Sequence, residues 1–597
     1  MKKLLTFLIM AFVLGGILYA AGGQQPGGTG GPAVSSTDGI TGKLPVEPIY
    51  DGYKAEGKEW WPIPVTGWTK SSKYPDQPPI SGKREYPVVK DTFNLKVGLK
   101  NSSNTLDFED NDLTRFMEKL TNVHIEWEIL PESNPKEKIN LMFAAGSDLP
   151  DVFMGCGFTA PELISYGSFN LLLPLQDLIE NTSYFLKKRY DALPELYRFT
   201  RSADGNIYAL GRGHDNLPNL VSQRFWINKT FLKTLGMQMP TTTEEYYQYL
   251  VAVKTRDPNG NGKADEIPLI GAPASTMWHG EIDGFLMNAF IYDESATGSD
   301  RNARRRVFWT GDGKVDVSFT KPEWKDGLAY LHRLYAEGLM ALETFTIQKE
   351  QLRSLVENKD ALIVGSLPSG GHHEFAIPDG TRRGDFQVVP PLKGPKGVQQ
   401  TWYDQYGNMS MGDFVITSSC KVPELAIKWA DYMVTPDFTM KSRYGWLGRD
   451  WEIPVGKIAV DGNPSPYEET GLKLGQPQKV HWGSGYTWTP GFGSYARTKS
   501  DDPYELEFVL YEAMKLYWPY RFMNSLPRNL PYTVQEARRY NELTNLIVDY
   551  VDESMALFIT GRLDLNKDWD KYIADLNTMG LNEWLGLIQS AWDRFRK

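Results

Sequence analysis

From residue 93 onward the chain switches between two hydrophobic periods. Phe93-Asn94-Leu95-Lys96-Val97-Gly98-Leu99 places an apolar residue at every second position, as a half-buried strand requires. Asn111 to Thr121 changes to helical spacing, and Val123 to Ile129 returns to alternation. Asn134-Pro135 opens a further helix, with a capping Asn and a Pro at the first helical position. That helix runs through Ile139, Leu141, Met142 and Phe143 to Gly146, and Pro150 to Met154 follows as a short apolar strand. Strand, helix, strand, helix, strand predicts a parallel sheet with helices on its faces.

The middle of the chain repeats this style. Thr241-Thr242-Thr243-Glu244-Glu245 carries overlapping capping boxes for a helix that continues to about Lys254. Ile267-Pro268-Leu269-Ile270 and Ala361-Leu362-Ile363-Val364-Gly365 read as short strands. Trp324, Leu328, Leu331 and Tyr335 form a helical stripe closed by Gly338, and Pro423 starts a helix containing Ile427, Ala430 and Tyr432. The C-terminal part is mainly helical. Thr533-Val534-Gln535-Glu536 is a capping box, followed by Leu543, Ile547, Tyr550 and Ser554 on one face up to Gly561. No repeat of fixed period is present.

Before residue 93 the pattern is lost. Residues 46–92 are rich in Pro, Tyr and Trp and read as extended chain lying on the folded body; residues 22–45, rich in Gly, Gln, Pro, Ser and Thr, read as a flexible tether. Lys2 and Lys3, the apolar run Leu4 to Ala21 and the small residues at its end read as a secretory signal peptide over residues 1–21, the alternative being an uncleaved anchor. The expected location is therefore periplasmic or extracellular. No cysteine lies at the end of the run, so no lipid attachment is expected there.

With 597 residues, two or more cores are expected. The net charge of −10, with no Lys/Arg run that suggests a basic face, argues against a nucleic-acid binder. The two cysteines, Cys156 and Cys420, are too few for a disulfide framework and are expected as separate buried thiols. The 18 Trp and 31 Tyr residues supply either large cores or stacking platforms for flat-faced ligands.

One loop carries metal chemistry. In Asp257-Pro258-Asn259-Gly260-Asn261-Gly262-Lys263-Ala264-Asp265-Glu266-Ile267-Pro268, oxygen-bearing side chains fall at places one, three, five, nine and ten, and a glycine at place six permits the sharp turn. The expected ligands of a structural Ca2+ are Asp257, Asn259, Asn261, the backbone carbonyl of Lys263, Asp265 and Glu266. Place twelve is Pro268, and a strand follows instead of a helix, so the motif reads as a helix–loop–strand site; the alternative is a polar turn that binds nothing. Catalytic signatures are missing: there is no Gly-x-Ser-x-Gly, no His-Glu-x-x-His and no phosphate-cradling Gly-rich loop. His372-His373-Glu374 is expected as an exposed loop and not a metal site, since adjacent residues project in different directions.

The chain resembles the extracellular solute-binding proteins of ABC importers, family 1, and within them the oligosaccharide-binding branch that includes alginate-binding proteins and LipO-like lipoproteins. The resemblance is carried by Glu137-Lys138-Ile139-Asn140-Leu141-Met142-Phe143-Ala144-Ala145-Gly146-Ser147-Asp148-Leu149-Pro150-Asp151-Val152 and by Asp204-Gly205-Asn206-Ile207-Tyr208-Ala209-Leu210. The Pro240–Pro268 segment, Leu334-Tyr335-Ala336-Glu337-Gly338-Leu339 and Pro390-Pro391-Leu392-Lys393-Gly394-Pro395 extend it. It implies an α/β fold of the type II periplasmic-binding kind, with two lobes, a hinge, a ligand cleft between them and extra C-terminal helices. The expected division is 93–214 with 414–480 for lobe 1, and 215–413 with 481–597 for lobe 2, which carries the calcium loop.

The resemblance further implies a non-enzymatic, monomeric binding protein that delivers an oligosaccharide to ABC permease transmembrane subunits. A sugar offers apolar C–H faces and a rim of hydroxyls, so its cleft needs aromatic faces and a few polar groups. Trp278, Trp402, Tyr403, Trp482, Tyr486 and Trp488, all in Gly-, Ser- or Pro-rich stretches, are the candidate contacts, each with core packing as the alternative. Arg224 either holds a ligand hydroxyl or carboxylate through its fork of donors or forms a salt bridge. A secreted carbohydrate-active enzyme and a peptide-binding importer component are the competing readings.

Overall fold

A computed structural model describes residues 61–597 except 133–134, 214–216, 295–303, 378–379, 381, 408, 473–476 and 484–495. The signal-peptide and tether segments and the capping Asn134 lie outside the described residues.

The alternating runs at the start of lobe 1 form the strands Phe93–Lys100, Val123–Leu130 and Val152–Met154, which pair in parallel with Phe93–Lys100 in the middle. The helix Asp112–Thr121 connects the first two, capped by the Asn111 side chain, which accepts from the Leu113 amide. Pro135–Ala145 leads to the third, ending at Gly146 with φ of 65°. The sheet is completed from far downstream. The strand Met409–Ile416 inserts antiparallel between Val152–Met154 and Leu210–Gly213, giving a five-stranded sheet. One sheet face packs with the helix Pro423–Asp431 in the first-lobe core, while Phe153 and Val415 on the opposite face belong to a second core with Ile139, Phe143 and Leu163.

The described part of the extended segment, residues 61–92, lies on this lobe. Gln77 bridges to the Glu424 carboxylate (2.8 Å) and the Leu425 amide (2.9 Å), and the Tyr86 hydroxyl donates to the Lys428 carbonyl (3.1 Å). Cys156 and Cys420 are separate, buried thiols, and burial pushes Cys156 up to about 12.

In lobe 2 the strand Phe225–Asn228 is flanked antiparallel by Ser366–Pro368 and Phe386–Val388. The two runs expected as strands at Ile267–Ile270 and Ala361–Gly365 contribute only single parallel bridges, Ile267 with Val364 and Leu269 with Met340. The amide of Gly365 still donates to the Ile267 carbonyl (2.8 Å), so the runs pair but are too short to extend a ladder. The helices Thr243–Thr255 and Pro322–Ala336 cover this lobe, followed by Leu506–Tyr517, Val534–Ile559, Trp569–Met579 and Leu581–Phe595. Val534–Ile559 packs against Pro322–Ala336, Leu581–Phe595 and also Ala160–Ser168 of lobe 1, so the lobes are in contact. Among the described residues no helix is long and apolar enough to cross a membrane.

The chain passes between lobes through Leu217–Leu220 and through residues 389–407. The Asp404 amide donates to the Leu220 carbonyl (2.9 Å), joining the two crossings. Tyr517 fastens them to lobe 2: its hydroxyl donates to the Val389 carbonyl (2.7 Å) and accepts from the Phe225 amide (3.2 Å).

Candidate functional site

Beside these crossings four segments bring aromatic and polar side chains together. The first is the loop 271–282, closed by the Ala272 amide donating to the Gly280 carbonyl (2.7 Å), with Trp278 and His279 near its tip. His279 has φ of 54°, a left-handed conformation that non-glycine residues rarely hold, and such outliers concentrate where the surroundings enforce them. It is fully buried, and its Nε2 lies 2.7 Å from Ser222 Oγ at the end of the first crossing. Burial above all, then the nearby charges of Arg528 and Arg224, hold its pKa well below the usual imidazole value, so the ring is neutral at pH 7.

The second segment is the loop after Ser366–Pro368. Its Gly370 amide donates to the Trp278 carbonyl (2.9 Å), and a Cβ on Gly370 would stand 2.2 Å from the indole. Only glycine allows that approach. The third is the second crossing, where the Trp402 ring lies 5.4 Å from His279. The fourth is the stretch 521–528: Arg528 places its guanidinium 5.7 Å from the Trp402 ring centre and its Nε 3.4 Å from Asp404 Oδ2. Trp278 keeps a partly exposed face, whereas Trp402 is buried.

The fold therefore gathers four of the residues chosen from sequence: Trp278, Trp402, Tyr403 and Arg224. Tyr403 packs its ring 5.8 Å from Trp518, and burial pushes its hydroxyl up to about 12. Arg224 is fully buried among backbone carbonyls. Its Nη1 donates to the Gly370 carbonyl (2.5 Å) and its Nη2 to the Pro218 carbonyl (2.5 Å), so it ties the first crossing to the loop that backs Trp278.

Trp482 lies elsewhere. It is 1% exposed in the lobe 1 core, its Nε1 donates to Thr114 Oγ1 (2.8 Å), and its ring packs 5.3 Å from Trp127 and 5.8 Å from Phe438. It fills a core in this structure and presents no face to a ligand. Tyr486 and Trp488 lie outside the described residues. The polar members His279, Ser222, Asp404 and Arg528 were not picked out by sequence; the only local signal was the position of His279 beside Trp278.

His372–Glu374 departs from the expected exposed loop. It is a short 3-10 turn with His372 and Glu374 buried, and Glu374 pairs with Lys349 at 2.7 Å and His373 at 3.3 Å.

The loop after Thr243–Thr255 coils its oxygens inward. Asp257 Oδ1 accepts from the amides of Gly260 (3.0 Å) and Asn261 (3.2 Å), and Oδ2 from Gly262 (2.8 Å), with Gly262 at φ of 74°. Asn259 and Asn261 both turn their amide groups to Asp265, each 2.9 Å away. The Asn259 amide N–H reaches Glu266 Oε1 at 3.4 Å. Turning the two side-chain amides would exchange their NH2 for oxygen at the same places. Burial, and then the neighbouring Asp257 and Asp265 charges, raise the Glu266 pKa. Among the described residues no group of three or more His, Cys, Asp or Glu is arranged to hold a metal by itself. The donor set here mixes carboxylates, amides and backbone carbonyls, which suits a hard, oxygen-seeking cation.

Comparison with known proteins agrees with this architecture. The family model for bacterial extracellular solute-binding proteins matches residues 102–440. The fructooligosaccharide ABC transporter substrate-binding protein FusA of Streptococcus pneumoniae serotype 4 is 27% identical over 492 residues, covering 80% of this chain and 86% of FusA. The solved structure of S. pneumoniae FusA in complex with kestose matches 84% of this chain and 99% of that chain, with a TM-score of 0.66 and 25% identity. A FusA EF-hand mutant in complex with fructo-nystose matches over the same shares with a TM-score of 0.66 and 24% identity.

Proposed function

We infer that this chain, which belongs to the bacterial extracellular solute-binding protein family, is the substrate-binding component of an ABC importer, and that it captures an oligosaccharide between its lobes outside the cytoplasmic membrane. The observation that carries the reading is the convergence of Trp278, Trp402, His279 and Arg528 beside the two crossings. An indole face stacks on the apolar C–H face of a sugar ring, while neutral imidazole and guanidinium groups meet its hydroxyl rim. FusA, a fructooligosaccharide-binding relative that spans most of the same fold, supports the same substrate class.

In this reading the lobes open at the crossings to admit the sugar and close to bury it. The closed shape docks on the permease subunits, and the sugar leaves chemically unchanged. Calcium, held by Asp257, Asn259, Asn261, the Lys263 carbonyl, Asp265 and Glu266, fixes the end of helix Thr243–Thr255 to the run that starts at Ile267. The EF-hand named for the FusA mutant is a parallel for such a loop in a relative.

Thermal unfolding of the purified chain in calcium, against a panel of oligosaccharides and peptides, tests the function. Ligand at a hundred times its dissociation constant adds about 2.7 kcal/mol to folded-state stability. A clear rise in melting temperature with one sugar class, the sugar being recovered intact, is the expected result. A rise with peptides alone, or consumption of the sugar, would overturn the reading.

A further inference from the structure

We propose that the Asp404–Arg528 pair beside Trp402 is a specificity device that admits neutral oligosaccharides and turns away those bearing uronate groups. The proposal rests on the oligosaccharide reading above and adds the charge class of the ligand.

The argument begins with what the cations around the aromatic cluster already do. Arg224 is fully buried and committed to the carbonyls of Pro218 and Gly370. Arg521 donates to the Trp518 carbonyl (2.7 Å) and lies over the Trp518 ring at 4.5 Å. His373 sits 3.3 Å from Glu374 Oε1. Among these described residues, Arg528 combines a position over a site Trp with a partly exposed side chain, 26% accessible.

Asp404 stands against it, and the fold holds Asp404 in place. Its amide is bonded to the Leu220 carbonyl (2.9 Å), its Oδ1 accepts from the Tyr406 amide (3.2 Å), and its carbonyl accepts from Gly407 (3.0 Å). With the side chain only 13% accessible, the carboxylate cannot swing out to make room. The buried Glu294 carboxylate already lies within charge range of both Arg528 and Asp404, so a uronate that sought Arg528 would bring a third carboxylate into this group, and like charges at that range repel strongly where water is partly excluded. A sugar hydroxyl meets no such conflict. It accepts from the guanidinium and donates to the carboxylate at once, so an ion pair 3.4 Å apart is a donor–acceptor template for a neutral rim.

Matched neutral and uronate oligosaccharides are titrated calorimetrically into the full-length protein in calcium: gluco-, fructo- and galacto-oligosaccharides against oligogalacturonate and oligoalginate of equal length. The wild-type protein is expected to bind at least one neutral sugar and to bind every uronate at least tenfold more weakly. Asp404→Asn keeps the acceptor for Tyr406 and removes the charge, so it should narrow that preference at least tenfold. Arg528→Gln should weaken the neutral sugar without gaining uronate affinity, and it serves as the second variant if Asp404→Asn does not fold. Uronates bound as tightly as neutral sugars overturn this proposal and leave the oligosaccharide reading standing. So does a folded Asp404→Asn protein with unchanged preference, or Arg528→Gln with unchanged neutral affinity. Binding of none of the sugars overturns both.

Discussion

Trp278 and Trp482 show how one residue type divides between a partly exposed and a fully packed position. Both lie in irregular stretches rich in small residues, which is why sequence marked both as stacking platforms. Trp482 is 1% exposed and its indole N–H is satisfied by Thr114, whereas Trp278 packs on Gly370 and stays partly exposed. Trp482→Ala should cost about 3–5 kcal/mol of stability in chemical denaturation while the folded protein binds sugar normally. Trp278→Ala should leave stability within about 1 kcal/mol and weaken sugar binding about tenfold or more. The reverse pattern would return Trp482 to the cleft. Loop composition was legible, but burial is decided by partners such as Trp127, Trp429 and Phe438 from distant segments, which no local pattern encodes. His481 offers a second test at this scale. Its Nδ1 accepts the Gly483 amide (3.0 Å), which requires an unprotonated nitrogen, and burial holds its pKa down at about 4. On unfolding, the imidazole takes up a proton near pH 6.5. Its stabilising contribution is therefore complete above about pH 6.5 and is lost progressively as pH falls toward 4. His481→Asn retains an acceptor but no titration. Relative to that variant, the wild-type protein should lose up to about 1.4 kcal/mol per pH unit in this window; urea midpoints that keep a constant separation from pH 7.5 to 5 would disprove it.

Helix boundaries were the elements most legible in the sequence, because capping is local. The boxes at Thr242/Glu245 and Thr533/Glu536 are both formed, and Pro135, Pro322 and Pro423 each open a helix. Sheet membership was not legible in the same way. Nothing around Met409–Ile416 announces that it inserts between Val152–Met154 and Leu210–Gly213, since its partners lie far away along the chain. This strand and the packing of Trp482 both place first-lobe structure beyond limits drawn from sequence at residues 414 and 480. The calcium loop lies between these extremes: its spacing is local, while its effect depends on joining two elements. The coil closes the end of Thr243–Thr255 onto Ile267, whose amide bonds to the Ile363 carbonyl (2.7 Å). Calcium at a hundred times its dissociation constant should add about 2.7 kcal/mol to the stability of the folded chain, and chelator should remove it. Asp257→Ala should lower the melting temperature in calcium and abolish the difference between calcium and chelator. Equal melting of the unaltered protein under both conditions would rule the ion out.

At the scale of the molecule, the two lobes, their crossings and the C-terminal helices form one coupled device. Helix Leu506–Tyr517 packs on the crossing turn Leu217–Leu220, and Tyr517 links Phe225 to Val389, so both crossings are anchored on lobe 2. Arg189 of lobe 1 grips the other side by donating to the Gly213 carbonyl (2.8 Å). Hinge closure requires such fixed points on either side of its crossings. The contact between Ala160–Ser168 and Val534–Ile559 also joins the lobes, and a cleft that opens must separate or pivot it. A ligand shifts such an equilibrium only through its different affinities for the open and closed forms. Trp278 from lobe 2 supplies that difference if the sugar it stacks on is also held from lobe 1. Small-angle scattering of the calcium-loaded protein should therefore show a smaller radius of gyration with saturating sugar than without. At the same sugar concentration Trp278→Ala should keep the larger radius, and raising the concentration should restore the smaller one. A radius indifferent to a sugar that calorimetry shows to be bound would mean that the lobes bind it without closing, and the importer mechanism would lose its signal to the permease.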